Sequence, residues 1–216
     1  MRKPKLLDLF CGAGGCAVGY AQAGFEVVGV DSAPQPHYPY RFIQADALAF
    51  PLDGFDVIHA SPPCQHYTAM LNHGLSDKRR HPDLVQATRK RLQALGRPYI
   101  IENVAGSPVL KSIMLCGAMF GLRVYRHRWF ESNILLFQPE HVRHVARIAH
   151  AGNVPTPEQF YCPVGHMGDK DGAQRAMGID WMHTQSEIAN AIPKAYTTYI
   201  GAQLMDALLA EGRQAV

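Results

Sequence analysis

Lys5-Leu6-Leu7-Asp8-Leu9-Phe10-Cys11-Gly12-Ala13-Gly14-Gly15 joins a buried-strand signal, Lys5 to Phe10, to a run of glycines. A helical pattern follows, Ala17 to Ala23, and Gly24 stops it. Strand, glycine turn and helix make the first unit of a nucleotide-binding α/β sheet. Glycines let the backbone approach a ligand, and a helix N-terminus favours polar or anionic groups. The spacing is not G-x-G-x-x-G, which disfavours a nicotinamide dinucleotide. A purely structural turn would use the same letters.

Further strands extend the pattern. Phe25 to Val30 reads as the second and ends on Asp31, where a carboxylate can accept hydrogen bonds from ribose hydroxyls. Arg41 to Gln44 is a weaker third strand. It leads to Asp46-Ala47, whose acid either meets an adenine amino group or caps the turn. Val57 to Ala60 is the fourth and runs into Ser61-Pro62-Pro63-Cys64. Two prolines fix φ and restrict the residue before each, so one cysteine sits on a stiff turn. That suits a nucleophile, although an inert buried thiol is the plainer alternative. A helix from Pro82 to Leu95, closed by Gly96, precedes a strand at Pro98 to Ile101 that delivers Glu102-Asn103-Val104.

Leu115 to Leu122 is a short apolar element. Val124 to Glu131 alternates like a strand, with Arg126 and Arg128 on one face. Residues 66–81 read as a long loop, in which Lys78, Arg79 and Arg80 are either a solvated surface or phosphate contacts. Residues 132–174 hold four prolines and four histidines and little periodicity, as expected of a small appended region. His141, His144, Cys162 and His166 have loosely zinc-like spacing. Histidines in a DNA-facing loop account for the same letters, so no metal is expected. Regular patterning returns at Ala176. Ser186 to Asn190 reads as a helical turn, and Pro193 opens a helix to Leu209 whose stripe is Ile192, Tyr196, Ile200, Leu204 and Leu208.

The chain has 216 residues, 47% of them apolar, enough for one domain with a core and a small appendage. A net charge of +3 is compatible with nucleic acid without being diagnostic. Five cysteines, an odd number, and an N-terminus without an apolar signal core predict a cytoplasmic protein with reduced thiols. No apolar run reaches membrane-spanning length.

In this order the motifs resemble the C5-cytosine-specific DNA methyltransferase family. Asp8-Leu9-Phe10-Cys11-Gly12-Ala13-Gly14-Gly15 matches its first motif, Pro63-Cys64-Gln65 its nucleophile motif and Glu102-Asn103-Val104 its acid motif. Arg126-x-Arg128 matches most of Q-x-R-x-R, with Val124 at the glutamine position. Ala189-Asn190-Ala191-Ile192-Pro193 is close to G-N-A-V-P. The resemblance spans residues 5–131 and 176–209. It implies a Rossmann-like S-adenosylmethionine-dependent α/β fold, a mostly parallel sheet flanked by helices. The catalytic domain would be discontinuous, 1–131 plus 176–216, around a target-recognition-like insert at 132–175.

Residue by residue, the resemblance makes Cys64 the nucleophile on cytosine C6. Glu102 becomes the contact to N3 and the exocyclic amine, Arg128 the O2 contact and Arg126 its support. Phe10, Gly12, Ala13, Gly14, Asp31, Asp46, Ala47, Pro63, Asn190 and Ala191 would hold the cofactor. Lys78, Arg79 and Arg80 would meet double-stranded DNA, from which the target base must leave the stack. Roughly forty insert residues have room for only a few base contacts. The layout resembles compact methylases of phages and mobile elements, with restriction-modification as the expected setting and no obligate protein partner. The same chemistry on RNA or a free pyrimidine nucleotide is the first alternative, and a retired S-adenosylmethionine- or DNA-binding module the second.

Overall fold

The computed structural model describes residues 2–65, Tyr67, 83–110 and 113–214. The strands are β1 (Lys5–Leu9), β2 (Glu26–Asp31), β3 (Arg41–Gln44), β4 (Val57–Ala60), β5 (Tyr99–Asn103), β6 (Ile113–Leu115) and β7 (Arg128–Ser132). The α-helices are α1 (Gly15–Gln22), α2 (Val85–Leu95), α3 (Lys170–Met177), α4 (Gln185–Asn190) and α5 (Lys194–Gln214). One sheet has the order β3-β2-β1-β4-β5-β7-β6. Its first five members run parallel, and β7 runs antiparallel to both β5 and β6. This is the mostly parallel α/β sheet that the strand-turn-helix units predict.

Period-2 alternation sends β1 side chains to both faces. Leu6 joins Ala17, Tyr20, Tyr196 and Ile200 beneath α1 and α5, while Leu7 and Leu9 join Val85, Leu92 and Ile101 beneath α2. Both faces are therefore apolar, which explains the unbroken hydrophobic runs of the central strands. Helix α1 packs closely on α5 at Gly19, and on the Ile192 backbone just before α5 at Gly15, because neither glycine carries a side chain. A Cβ at Gly19 would overlap the Thr197 hydroxyl and the Lys194 carbonyl oxygen. The stripe expected on α5 is buried at Tyr196, Ile200 and Leu204 and packs against the core at Leu208.

A third apolar cluster, with Met167, Met177, Ile179, Met182 and Ile188, closes on Val124 and Ala13. Trp181 Nε1 donates to the Ala13 carbonyl at 2.8 Å, so the segment after the insert holds the glycine turn. Asp169 caps α3, its carboxylate accepting the Gly172 N–H at 2.8 Å.

Several boundaries differ from expectation. The strand predicted over Val124 to Glu131 begins only at Arg128. Arg126 has φ +36°, which breaks the alternation before β7 can start. Leu115 to Leu122 is the end of β6 followed by a 3₁₀ turn, Gly117–Phe120. Glu102 and Asn103 lie inside β5, not after it. Helix α3 starts at Lys170, so an insert boundary at 175 would cut a helix. The irregular stretch 133–169 holds one isolated bridge, Ile148 to Phe160.

Candidate active site

Five strand ends and one helical segment surround a single cavity of about 440 Å³. Its wall combines Phe10, Gly12 and Ala13 after β1 with Asp31 at the end of β2. Cys64 and Pro63 come from the loop after β4, Glu102 from β5, Arg128 from β7, and Asn190 and Ala191 from the end of α4. A volume in the range of about 300–1,000 Å³ fits a small-molecule cofactor. Residues nearly two hundred positions apart in sequence thus converge on one space.

The loop that carries Cys64 is clamped on its N-terminal side. Ser61 N–H donates to the Leu9 carbonyl at 3.1 Å, and buried Asn103 Nδ2 donates to the Pro62 carbonyl at 2.8 Å. The half-buried Cys64 thiol is pushed up by burial and by the nearby Glu102 carboxylate, while Arg128 and Arg126 pull it back. Fully enclosed Glu102 is likewise raised by burial, against the opposing charge of Arg128, a hydrogen bond from Ser61 and the charge of Arg126. Arg128 Nε lies 3.0 Å from Glu102 Oε1. A raised carboxyl beside an arginine can offer either a proton or a negative charge to a bound ring.

Arg126 does not line the cavity. Its strained backbone turns the guanidinium to bridge the Pro163 carbonyl at 3.1 Å and the Ala189 carbonyl at 2.6 Å. It ties the insert to the segment before Asn190 and supports the site from behind. Burial and the charge of Arg128 push it down to about 9, so it stays charged at neutral pH.

Asp31 accepts the Gly12 N–H through Oδ2 and the Ala33 N–H through Oδ1, both at 3.0 Å. Each oxygen keeps a further lone pair for a hydroxyl. Gly12 has φ +48°, and a Cβ there would meet no protein atom within 4 Å, leaving open space beside the turn. Gly14 is crowded instead by Tyr38 and Pro39 and does not line the cavity. Asp46 and Ala47 also lie away from it. Asp46 Oδ1 accepts the Leu48 N–H at 2.9 Å, which is the turn cap the sequence left open. Lys78, Arg79 and Arg80 lie outside the described residues.

Two polar features were missed in the sequence. Asp8 is buried, lines the cavity and is pushed well above the usual carboxylate range by burial. Its Oδ1 has no hydrogen-bond partner among the described residues, an acceptor or donor left over for a ligand. Ser61 joins a buried chain: its Oγ is 2.9 Å from His59 Nε2, and His59 Nδ1 is 2.8 Å from the Tyr20 hydroxyl. A polar residue at every second position of an otherwise apolar strand was the available signal. The residues with loosely zinc-like spacing do not come together as a group. Cys162 and His166 stand apart from His141 and His144, which meet Cys116 and His127 instead.

The model of the C-5 cytosine-specific DNA methylase family matches residues 4–107. In three dimensions the chain is similar to a protein described as a DNA modification methyltransferase encoded within an E. coli prophage. Their TM-score is 0.71 at 15% identity, over 95% of this chain and 99% of that one. The S. pombe Dnmt2 methyltransferase matches with TM-score 0.65 and 15% identity, over 96% and 99%. The Entamoeba histolytica methyltransferase EhMeth matches with 0.58 and 13%, over 98% and 99%. At these identities the likeness establishes the fold. No curated protein matches the chain in sequence.

Proposed function

Because the chain belongs to the C-5 cytosine-specific DNA methylase family, whose model it matches over residues 4–107, we propose that Cys64 attacks C6 of a cytosine flipped out of duplex DNA. The observation that carries this reading is one cavity holding the Cys64 loop, Glu102 and Arg128 beside the glycine turn and Asp31.

S-adenosylmethionine is the family's methyl donor, and when bound it supplies an electrophilic methyl carbon. The residues present fit it. Asp31 offers free lone pairs for ribose hydroxyls, Gly12 leaves open backbone, and Asp8 Oδ1 is an unsatisfied polar atom in the wall. Phe10 and Ala13 on one side and Asn190 and Ala191 on the other would enclose it.

C5 of cytosine is a poor nucleophile until C6 is saturated. The Cys64 thiolate adds to C6, and negative charge moves toward N3 and C5. Glu102, whose raised carboxyl holds a proton readily, meets N3 and stabilises that charge. Arg128 holds Glu102 and faces O2 of the ring. Once C5 carries the methyl group, its proton leaves and the C6–sulfur bond breaks, returning Cys64. The irregular stretch 133–169 would supply the few base contacts this chain can make, and Lys78, Arg79 and Arg80 would meet phosphates. The protein would act in the cytoplasm without an obligate protein partner. Among the described residues no helix is long and apolar enough to cross a membrane.

The test is transfer of a labelled methyl group from S-adenosylmethionine to duplex DNA, compared with tRNA and with cytidine monophosphates. Label in DNA that requires Cys64 supports the reading. Label in RNA or nucleotide alone moves the same chemistry to that substrate, and no label in any arm, with cofactor binding intact, points to a retired binding module.

A further inference from the structure

Outside the cavity, four side chains from separate parts of the chain converge. Cys116 directly follows β6, His127 directly precedes β7, and His141 and His144 lie in the irregular stretch after it. One ligand atom from each lies within 4.8 Å of all the others. Cys116 Sγ is 3.3 Å from His144 Nε2, and His127 Nε2 is 3.2 Å from His141 Nε2. A tetrahedral zinc site with Zn–S near 2.3 Å and Zn–N near 2.0–2.1 Å has ligand-to-ligand edges of about 3.3–3.7 Å. Two edges of that tetrahedron are already close to length.

We propose that Cys116, His127, His141 and His144 bind one structural zinc ion that fastens the insert to the edge of the sheet.

One thiolate and three imidazoles select a borderline transition ion over magnesium or calcium. Four protein ligands close the site, which marks it as structural and not hydrolytic. Its surroundings are built as metal sites are. Cys116 Sγ accepts the Met119 backbone N–H, and the Tyr125 ring stacks on His144 at 3.6 Å and 15°. Simple pairing of a thiol with imidazoles would satisfy the same atoms two by two. It gives no reason for all four to turn their ligand atoms toward one point.

The site also supplies something the insert lacks. Stretch 133–169 has one isolated bridge and all five cysteines are free, so neither a sheet nor a disulfide holds it. A metal closes such loops effectively. His127 is bonded in sequence to Arg128, whose Nη1 donates to the His127 carbonyl at 2.9 Å. The same ion would therefore fix the register of the residue that faces Glu102. The inference is independent of the methyl-transfer reading.

Cobalt(II) reports the site directly. The full chain, purified metal-free, is titrated with cobalt and then with zinc as competitor, with folding followed by circular dichroism. One equivalent should give the strong visible bands of a four-coordinate ion and a thiolate charge-transfer band, both erased by zinc. Cys116→Ser should remove the charge-transfer band. The exposed His141→Ala and His144→Ala, which threaten the fold least, should weaken binding at least about tenfold. Cys162→Ser and His166→Ala should bind as wild type does. Weak six-coordinate cobalt, or binding equal in wild type, H141A and H144A, would overturn the site.

Discussion

Arg128 Nε stands 3.0 Å from Glu102 Oε1, on neighbouring antiparallel strands and with both side chains nearly buried. Breaking a buried pair strands one charge, whereas removing both members does not. Glu102→Gln and Arg128→Met should each cut kcat/KM by about a hundred- to ten-thousand-fold. The double variant should be little worse than either, because the two act on one ring. Stability should follow the same pattern, with Arg128→Met the least stable of the three in urea unfolding. Additive losses in both measurements would mean that the pair does not work as a unit.

Cys64 sets the response to alkali. Burial raises its thiol above the ordinary value of 9.0, so the resting group is protonated at neutral pH. The rate of covalent capture on DNA containing 5-fluorocytosine should rise steadily from neutral to alkaline pH, following the thiolate fraction. Cys64→Ser should lose capture entirely and reduce turnover by about a thousandfold or more. A capture rate that is level across this range would show a thiolate already present, and would contradict the burial of the loop.

How much of this was legible follows from what is local. The turn after β1, the acid closing β2 and the Pro-Pro-Cys loop are each specified within a few residues, so the sequence alone places Phe10, Asp31 and Cys64 at strand ends. Arg126 was legible as a residue of the site but not in its role. An alternating pattern cannot reveal a φ of +36° that swings its guanidinium onto Pro163 and Ala189. Asp46 was ambiguous because a turn cap and a ligand contact need the same letter. The His127 and Cys116 partners of His141 and His144 were invisible, since β6 was not recognised as a strand and the antiparallel pairing that brings it to β7 is long-range. Asp8 hid inside an apolar run.

Glycines separate cofactor contact from packing. Gly19→Ala should destabilise the fold by about 1–3 kcal/mol or more, because the methyl group meets the Lys194 backbone and the Thr197 hydroxyl across α1 and α5. Gly12→Ala meets nothing and costs only its left-handed backbone, about 1–2 kcal/mol. Isothermal titration with S-adenosylmethionine should show the reverse ranking. Affinity should fall more in Gly12→Ala than in Gly19→Ala at temperatures where both are folded. Equal affinities would place the ligand away from the Gly12 turn.

Acid stability should carry the signature of His59. Its ring is fully enclosed between Tyr20 and Ser61, and burial pushes it from 6.5 down to about 3. The folded protein thus holds a neutral imidazole that the unfolded chain protonates. The contribution is fully present above pH 6.5 and is lost as pH falls toward about 3, with a slope of up to ~1.4 kcal/mol per pH unit. Asp8 and Glu102 act in the opposite sense. Burial raises both, so their contribution is present at low pH and lost as pH rises. Because these slopes overlap, the wild-type curve alone does not isolate the histidine. The difference in urea-unfolding free energy between wild type and His59→Asn does. That difference should be largest above pH 6.5 and shrink steadily as the buffer is acidified. A constant difference would mean that His59 binds its proton equally well in the folded and unfolded chain, and a difference that grows on acidification would mean that the buried chain to Ser61 begins with an imidazolium.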